Sequence, residues 1–130
     1  MAIDRSATMV ARARALNAGA IAEGHARIGR HTLDEVAERG LAFDKVFAVN
    51  VNTFWIATTA SLTALARLVR PRGAAYLVFE PPGSDRVRAL ERDLPPALSE
   101  AGFTAVEVHK QRDPTARRIA LIARCAGTPA

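Results

Sequence analysis

Two short stretches carry the side chains most suited to chemistry. "AIDRS" places Asp4, Arg5 and Ser6 after a short apolar stub, and "AFDKVFAVNVNTFW" drives an apolar run into Asn50, Val51, Asn52, Phe54 and Trp55. A carboxylate that ends a strand and opens a helix can take two hydrogen bonds from a vicinal diol; it can equally cap the helix or sit beside its dipole. Asn50 and Asn52 can bond a ligand through side chain or backbone, or close an Asx turn. Phe54 and Trp55 can wall a pocket or cover the core. Glu80, ahead of Pro81 and Pro82, reads as a turn residue and nothing more.

Other chemistries find little support. His25, His31 and His109 lack the spacing of metal ligands, so no metal is expected. No G-x-S-x-G, C-x-x-C or glycine-rich phosphate loop occurs. The single Cys125 reads as a small apolar residue near a strand end, and it suits a reducing compartment. No catalytic base is identifiable.

The 130 residues suffice for one domain with one core. No apolar run nears the ~20 residues of a membrane span, and the first residues lack a signal peptide's apolar stretch. These features lead to the expectation of a cytoplasmic protein with no membrane partner. The net charge is +5, and arginines far outnumber lysines. The arginines are scattered over the polar faces of predicted helices, so a solvated surface is favoured over a nucleic-acid interface.

The elements that must position these residues follow from periodicity. Residues 1–4 read as a strand stub. "SATMVARARALNAG" reads as a helix capped by Ser6, with Met9, Val10, Ala13 and Leu16 at helical spacing and Gly19 at its end. "HARIGRH" reads as a weak strand. Thr32 and Glu35 have capping-box spacing, and Gly40 closes that helix. Residues 44–50 read as a strand covered on both faces. A helix over 56–70 follows, with Leu62, Leu65, Leu68 and Val69 in its stripe, and "RPRG" stops it.

"AAYLVFEPP" is the clearest strand. Ser84 or Asp85 caps the next helix, which carries Val87, Leu90, Leu94, Leu98 and Ala101, and which Pro95 and Pro96 should kink or split. "TAVEVHKQ" and "RRIALIARC" form a closing antiparallel hairpin around the "DPT" turn, and the tail "AGTPA" reads as frayed. The order β-α-β-α-β-α-β-α-β-β predicts an α/β fold, a mostly parallel sheet with helices on both faces. Ligands of such sheets bind beyond the carboxyl ends of the strands. Those ends fall at Asp4–Ser6, His31–Thr32, Asn50–Trp55, Glu80–Gly83 and Gln111–Asp113.

In this order the stretches "AIDRSATMVARARALNAG", "FDKVFAVNVNTFW", "ALARLVRPRGAAYLVFEPP" and "LSEAGFTAVEV…RRIALIARC" cover nearly the whole chain. Together they resemble the class I S-adenosylmethionine-dependent methyltransferases, whose fold is Rossmann-like. The resemblance implies S-adenosyl-L-methionine as cofactor. It matches Asp4 to the acidic residue that holds the ribose hydroxyls, Arg5, Ser6 and Met9 to the adjoining cofactor wall, and Asn50 to the end of the fourth strand beside the methionine part. Val51, Asn52, Phe54 and Trp55 would border a small-molecule methyl acceptor.

Two departures accompany the resemblance. Thr32 stands where the family usually has an aspartate at the adenine, with His31 where a glycine precedes it. The family's first strand and glycine-rich turn normally precede the Asp4 region, and in the family that strand lies mid-sheet, between the second and fourth. The expectation is therefore a single domain over 1–130, incomplete at its N-terminal side, with open strand edges that favour self-association or a partner chain. The alternatives are a non-catalytic interaction module or a subunit completed by a partner chain, and, behind these, a basic nucleic-acid-binding domain.

Overall fold

A computed structural model of the protein describes residues 1–51, 54, 59–111 and 117–126. The chain order is β1 (Ala2–Asp4), α1 (Ala7–Leu16), α2 (Ala18–Ala22), β2 (Ile28–Arg30), α3 (Leu33–Glu38), β3 (Phe43–Val49), α4 (Thr59–Arg67), β4 (Val69–Phe79), α5 (Ser84–Ala101), β5 (Ala105–Lys110) and β6 (Ile119–Arg124). Among the described residues no helix is long and apolar enough to cross a membrane.

The strands form two separate sheets. β1 pairs with β2 in parallel, and the second sheet has the order β3-β4-β6-β5. Within it β3, β4 and β5 share one direction and β6 is reversed, which makes β5–β6 the expected antiparallel hairpin. Its "DPT" turn lies outside the described residues.

The core lies on one face of the four-stranded sheet. Val46, Ala48, Ala75, Leu77, Phe79, Ile119, Leu121 and Ala123 alternate along their strands and meet Leu62 and Leu65 of α4 and Leu90, Leu94 and Leu98 of α5. Burial of this kind yields roughly 25 cal/mol per Å² of apolar surface removed from water. A smaller cluster of Val36, Ala37, Ala64 and Leu68 takes in Ile3, Leu33 and Phe43, and so ties β1 to α3 and α4. α1 rests on β1 and β2.

The opposite face corrects one expectation. β3 is not covered on both faces: Phe47 is 68% and Val49 63% exposed. Phe47 stacks on its cross-strand neighbour Tyr76, with ring centroids 4.8 Å apart and planes 16° from parallel, an offset the ring quadrupoles favour.

Element ends also differ from the sequence reading. Gly19 does not end the first helix: Asn17 caps α1, Gly19 lies inside α2, and the turn comes at Gly24, with φ 78°. The helix over 56–70 stops at Arg67 among its described residues, because Val69 already pairs with Phe43 as the start of β4. "RPRG" then forms an excursion within that strand: the register jumps from Phe43↔Val69 to Lys45↔Ala74. A Cβ on Gly73 would stand 2.7 Å from the Asp44 carbonyl oxygen, so only glycine fits that crossing.

Gly83, not Ser84 or Asp85, caps α5, and no side chain serves as its cap. Pro95 and Pro96 do not split that helix. Its buried stripe of Leu90, Leu94 and Leu98 spans both prolines, so core packing holds the helix together across the missing donors. The capping box of α3 forms as expected: Thr32 Oγ1 accepts the Glu35 N–H at 3.2 Å, and Glu35 Oε2 accepts the Thr32 N–H at 3.3 Å.

Candidate functional site

β1 and β3 end on one cleft of about 890 Å³. Its walls include Asp4, Arg5, His31, Thr32, Asn50 and Val51, over an apolar floor that includes Val36, Phe54, Leu65 and Leu68. The separation of the two sheets opens this cleft, since β1 and β3 share no strand pairing.

Asp4 closes β1. Its Oδ1 accepts the Ser6 N–H at 2.7 Å, and Ser6 Oγ in turn accepts the Met9 N–H at 3.3 Å. The carboxylate and the hydroxyl thus organise the first turn of α1, where orphan N–H groups need acceptors. Ser6 is the expected cap. Asp4 is exposed and engages Ser6 through one oxygen. Ser6 and Met9 lie on the helix side and are not among the cleft's lining residues, and Met9 is half-exposed.

Thr32 spends its hydroxyl on the α3 cap, which favours the capping role over adenine recognition. His31 beside it was missed as a packing element. Its ring is partly buried, with Nδ1 3.4 Å from Glu35 Oε2. A Cβ on Gly29 would stand 2.7 Å from Nε2, so this glycine makes room for the imidazole. A glycine two residues before a histidine on a strand is a faint signal of that close approach.

Asn50 ends β3 in the left-handed region, φ 53°, which asparagine tolerates better than most residues. Its N–H donates to the Val78 carbonyl, and its Oδ1 accepts the Glu80 N–H at 2.8 Å. The side-chain amide thus clamps the ends of β3 and β4 together. Glu80 is more than a turn residue: its carboxylate meets Arg118 at 3.2 Å, extending the link to the start of β6. Sequence reasoning named Asn50 and Glu80 separately and had no means of seeing the bond between them.

Phe54 serves both of its proposed purposes. It is 4% exposed, belongs to the main core, and lines the cleft floor. Asn52 and Trp55 lie outside the described residues. Among the described residues no three His, Cys, Asp or Glu side chains converge to hold a metal ion. Cys125 packs against the core, and burial pushes its thiol pKa up, away from the reactive thiolate.

No family model and no curated protein sequence matches the chain. Solved structures do. An O-methyltransferase family protein from Burkholderia thailandensis aligns over 98% of this chain and 43% of its own, at 19% identity and TM-score 0.71. The antibiotic-resistance methyltransferase Kmr aligns over 98% of this chain and 75% of its own, at 19% identity and TM-score 0.68. An S-adenosylmethionine-dependent methyltransferase from Clostridium acetobutylicum aligns over 96% and 74%, at 10% identity and TM-score 0.67. The chain spans between 41% and 55% of the first four structures it matches. Over most of its length the chain has the fold of the class I methyltransferases.

Proposed function

We propose that the chain carries the acceptor-facing and ribose-facing parts of an S-adenosyl-L-methionine-dependent methyltransferase that acts on a small molecule. The observation that carries this reading is the convergence of Asp4 and Asn50. They end two different strands, and both line the same cleft on a shared methyltransferase fold. The residues present fit such a cofactor in kind. Asp4 offers a carboxylate oxygen beyond the one bonded to Ser6, Asn50 offers its amide nitrogen, and the floor is apolar.

When bound, the cofactor supplies an electrophilic methyl group on a sulfonium. Asp4 would hold the ribose hydroxyls, with Arg5 beside them, and Asn50 would orient the methionine part. Val51 and Phe54 would keep water from the acceptor side. Methyl transfer depends chiefly on alignment of the two reactants, and no residue here is assigned as a base. Ser6 and Met9 act through the helix that positions Asp4.

Titration of the 130-residue chain with S-adenosyl-L-methionine, followed by amide NMR shifts, tests the reading. Shifts confined to Asp4, Arg5, Thr32, Asn50 and Val51 are expected, with a dissociation constant weaker than micromolar because the cleft is open along both strands. Saturable binding mapped elsewhere, or no shift at millimolar cofactor, would refute it.

A further inference from the structure

His31 follows β2 and lines the cleft beside Asp4, to whose carbonyl its N–H donates at 3.2 Å. Both edges of its imidazole are engaged. Nδ1 faces Glu35 Oε2 at 3.4 Å. The opposite edge points at Gly29, where a Cβ would stand 2.7 Å from Nε2 and 2.8 Å from Cδ2 but 3.9 Å from Cε1. The ring therefore stands edge-on over the glycine, held from two sides, and its flat face is what it offers to the cleft. The side chain keeps 23% of its exposure for that purpose. The other rings of the lining are committed elsewhere: Phe54 lies in the main core, Phe43 packs against the cluster of Val36 and Leu68, and Phe47 stacks on Tyr76.

We infer that His31 is a stacking platform for the base of a bound nucleoside, and that Gly29 positions its ring. The inference rests on the cofactor reading above and deepens it by giving the base a partner. With the methionine part at Asn50 and the ribose at Asp4, the cofactor runs across the strand ends from β3 to β1. Its adenine then lies one strand spacing further on, about 4.8 Å, at the end of β2, because β2 is the strand paired with β1. The Thr32 hydroxyl at that end is committed to the α3 cap. A stack on His31 needs no hydrogen bond, since every base has a π-face. Gly29 is thus a positioning residue, acting on the base only through the imidazole it makes room for.

The test uses the full chain with S-adenosyl-L-methionine as the probe, and reads the His31 side chain directly. Cross-relaxation between the adenine H2 or H8 proton and the His31 Hε1 proton is the expected result. It needs no variant, so it decides the matter even where a substitution lowers stability. His31→Gln keeps a donor for Glu35 and removes the ring, so the affinity should fall about 5- to 150-fold, the range for one base–aromatic stack. Gly29→Ala leaves His31 in place but displaces its ring, and should weaken binding in the same direction. Thermal melts check that both variants fold. Cofactor that shifts the Asp4 and Asn50 amides without cross-relaxation to His31 would overturn the inference and leave the methyl-transfer reading standing. Unchanged affinity in His31→Gln would do the same, and unchanged affinity in Gly29→Ala would overturn the positioning role. No shift anywhere at millimolar cofactor would overturn both the inference and the reading beneath it.

Discussion

The two sheets are held in different ways. The four-stranded sheet lays eight alternating apolar residues against α4 and α5, and its strands give most of the core. The two-stranded sheet with α1 and α2 has Val10 as its buried residue, and reaches the rest of the molecule through Ile3. A two-stranded sheet is marginal by itself in water. The half that carries Asp4 therefore depends on α3 and α4 for its position, whereas the half that carries Asn50 is built on the core. The site joins a firmly held wall to a weakly held one.

The largest effect that separates the halves should come from Leu94→Ala. Leu94 is 1% exposed under the four-stranded sheet, and such truncations cost about 2–5 kcal/mol. Urea unfolding should show this loss globally, while the local opening that exposes the α1 amides in hydrogen exchange stays unchanged. Equal changes in both would mean that the two halves open as one unit.

Thr32→Ala should cost about 1 kcal/mol, the usual price of an N-cap, read in the same urea melts. Because α3 bridges the halves, the loss should also speed amide exchange in β1. A stability loss with β1 exchange unchanged would show that α3 does not anchor the N-terminal sheet.

The smallest effect lies on the far side of the molecule. Glu107 on β5 is held below the usual glutamate pKa by its hydrogen bond to His109 and then by Arg124. A depressed folded pKa means that the stabilisation is present above the ordinary glutamate value, about 4.3, and is lost as pH falls through the folded value. Glu107→Gln should therefore flatten the acid-side slope of the melting temperature slightly. Being solvent-exposed, the pair should lose even this effect at high salt, and a slope that persists there would point to another carboxylate.

What the sequence made legible was mostly local. The Ser6 cap, the Thr32–Glu35 box and the closing hairpin depend on neighbours a few residues apart or on clean alternation, and all three stand. The run Val46–Val49 was read correctly as a strand, but an apolar run does not say whether a neighbour covers its second face. Pro95 and Pro96 reside in one helix because tertiary packing overrides propensity. Asp4 and Asn50 were both named from strand ends, yet the clamp from Asn50 to Glu80 spans 30 residues and has no local signature. His31 over Gly29 was invisible for a related reason: the contact depends on the ring's direction, which spacing does not encode.

The central claim is that Asp4 serves a ligand as well as its own helix, and Asp4→Asn separates the two. The amide oxygen can still accept the Ser6 N–H, so the α1 cap is kept while the charge is lost. Isothermal calorimetry with S-adenosyl-L-methionine, paired with thermal melts, reads both roles. A lost charge-assisted bond costs about 1.5–3 kcal/mol, so the affinity should fall roughly 10- to 150-fold with the melting temperature unchanged. Unchanged affinity with a lowered melting temperature would make Asp4 a helix cap and nothing more, and would contradict the account.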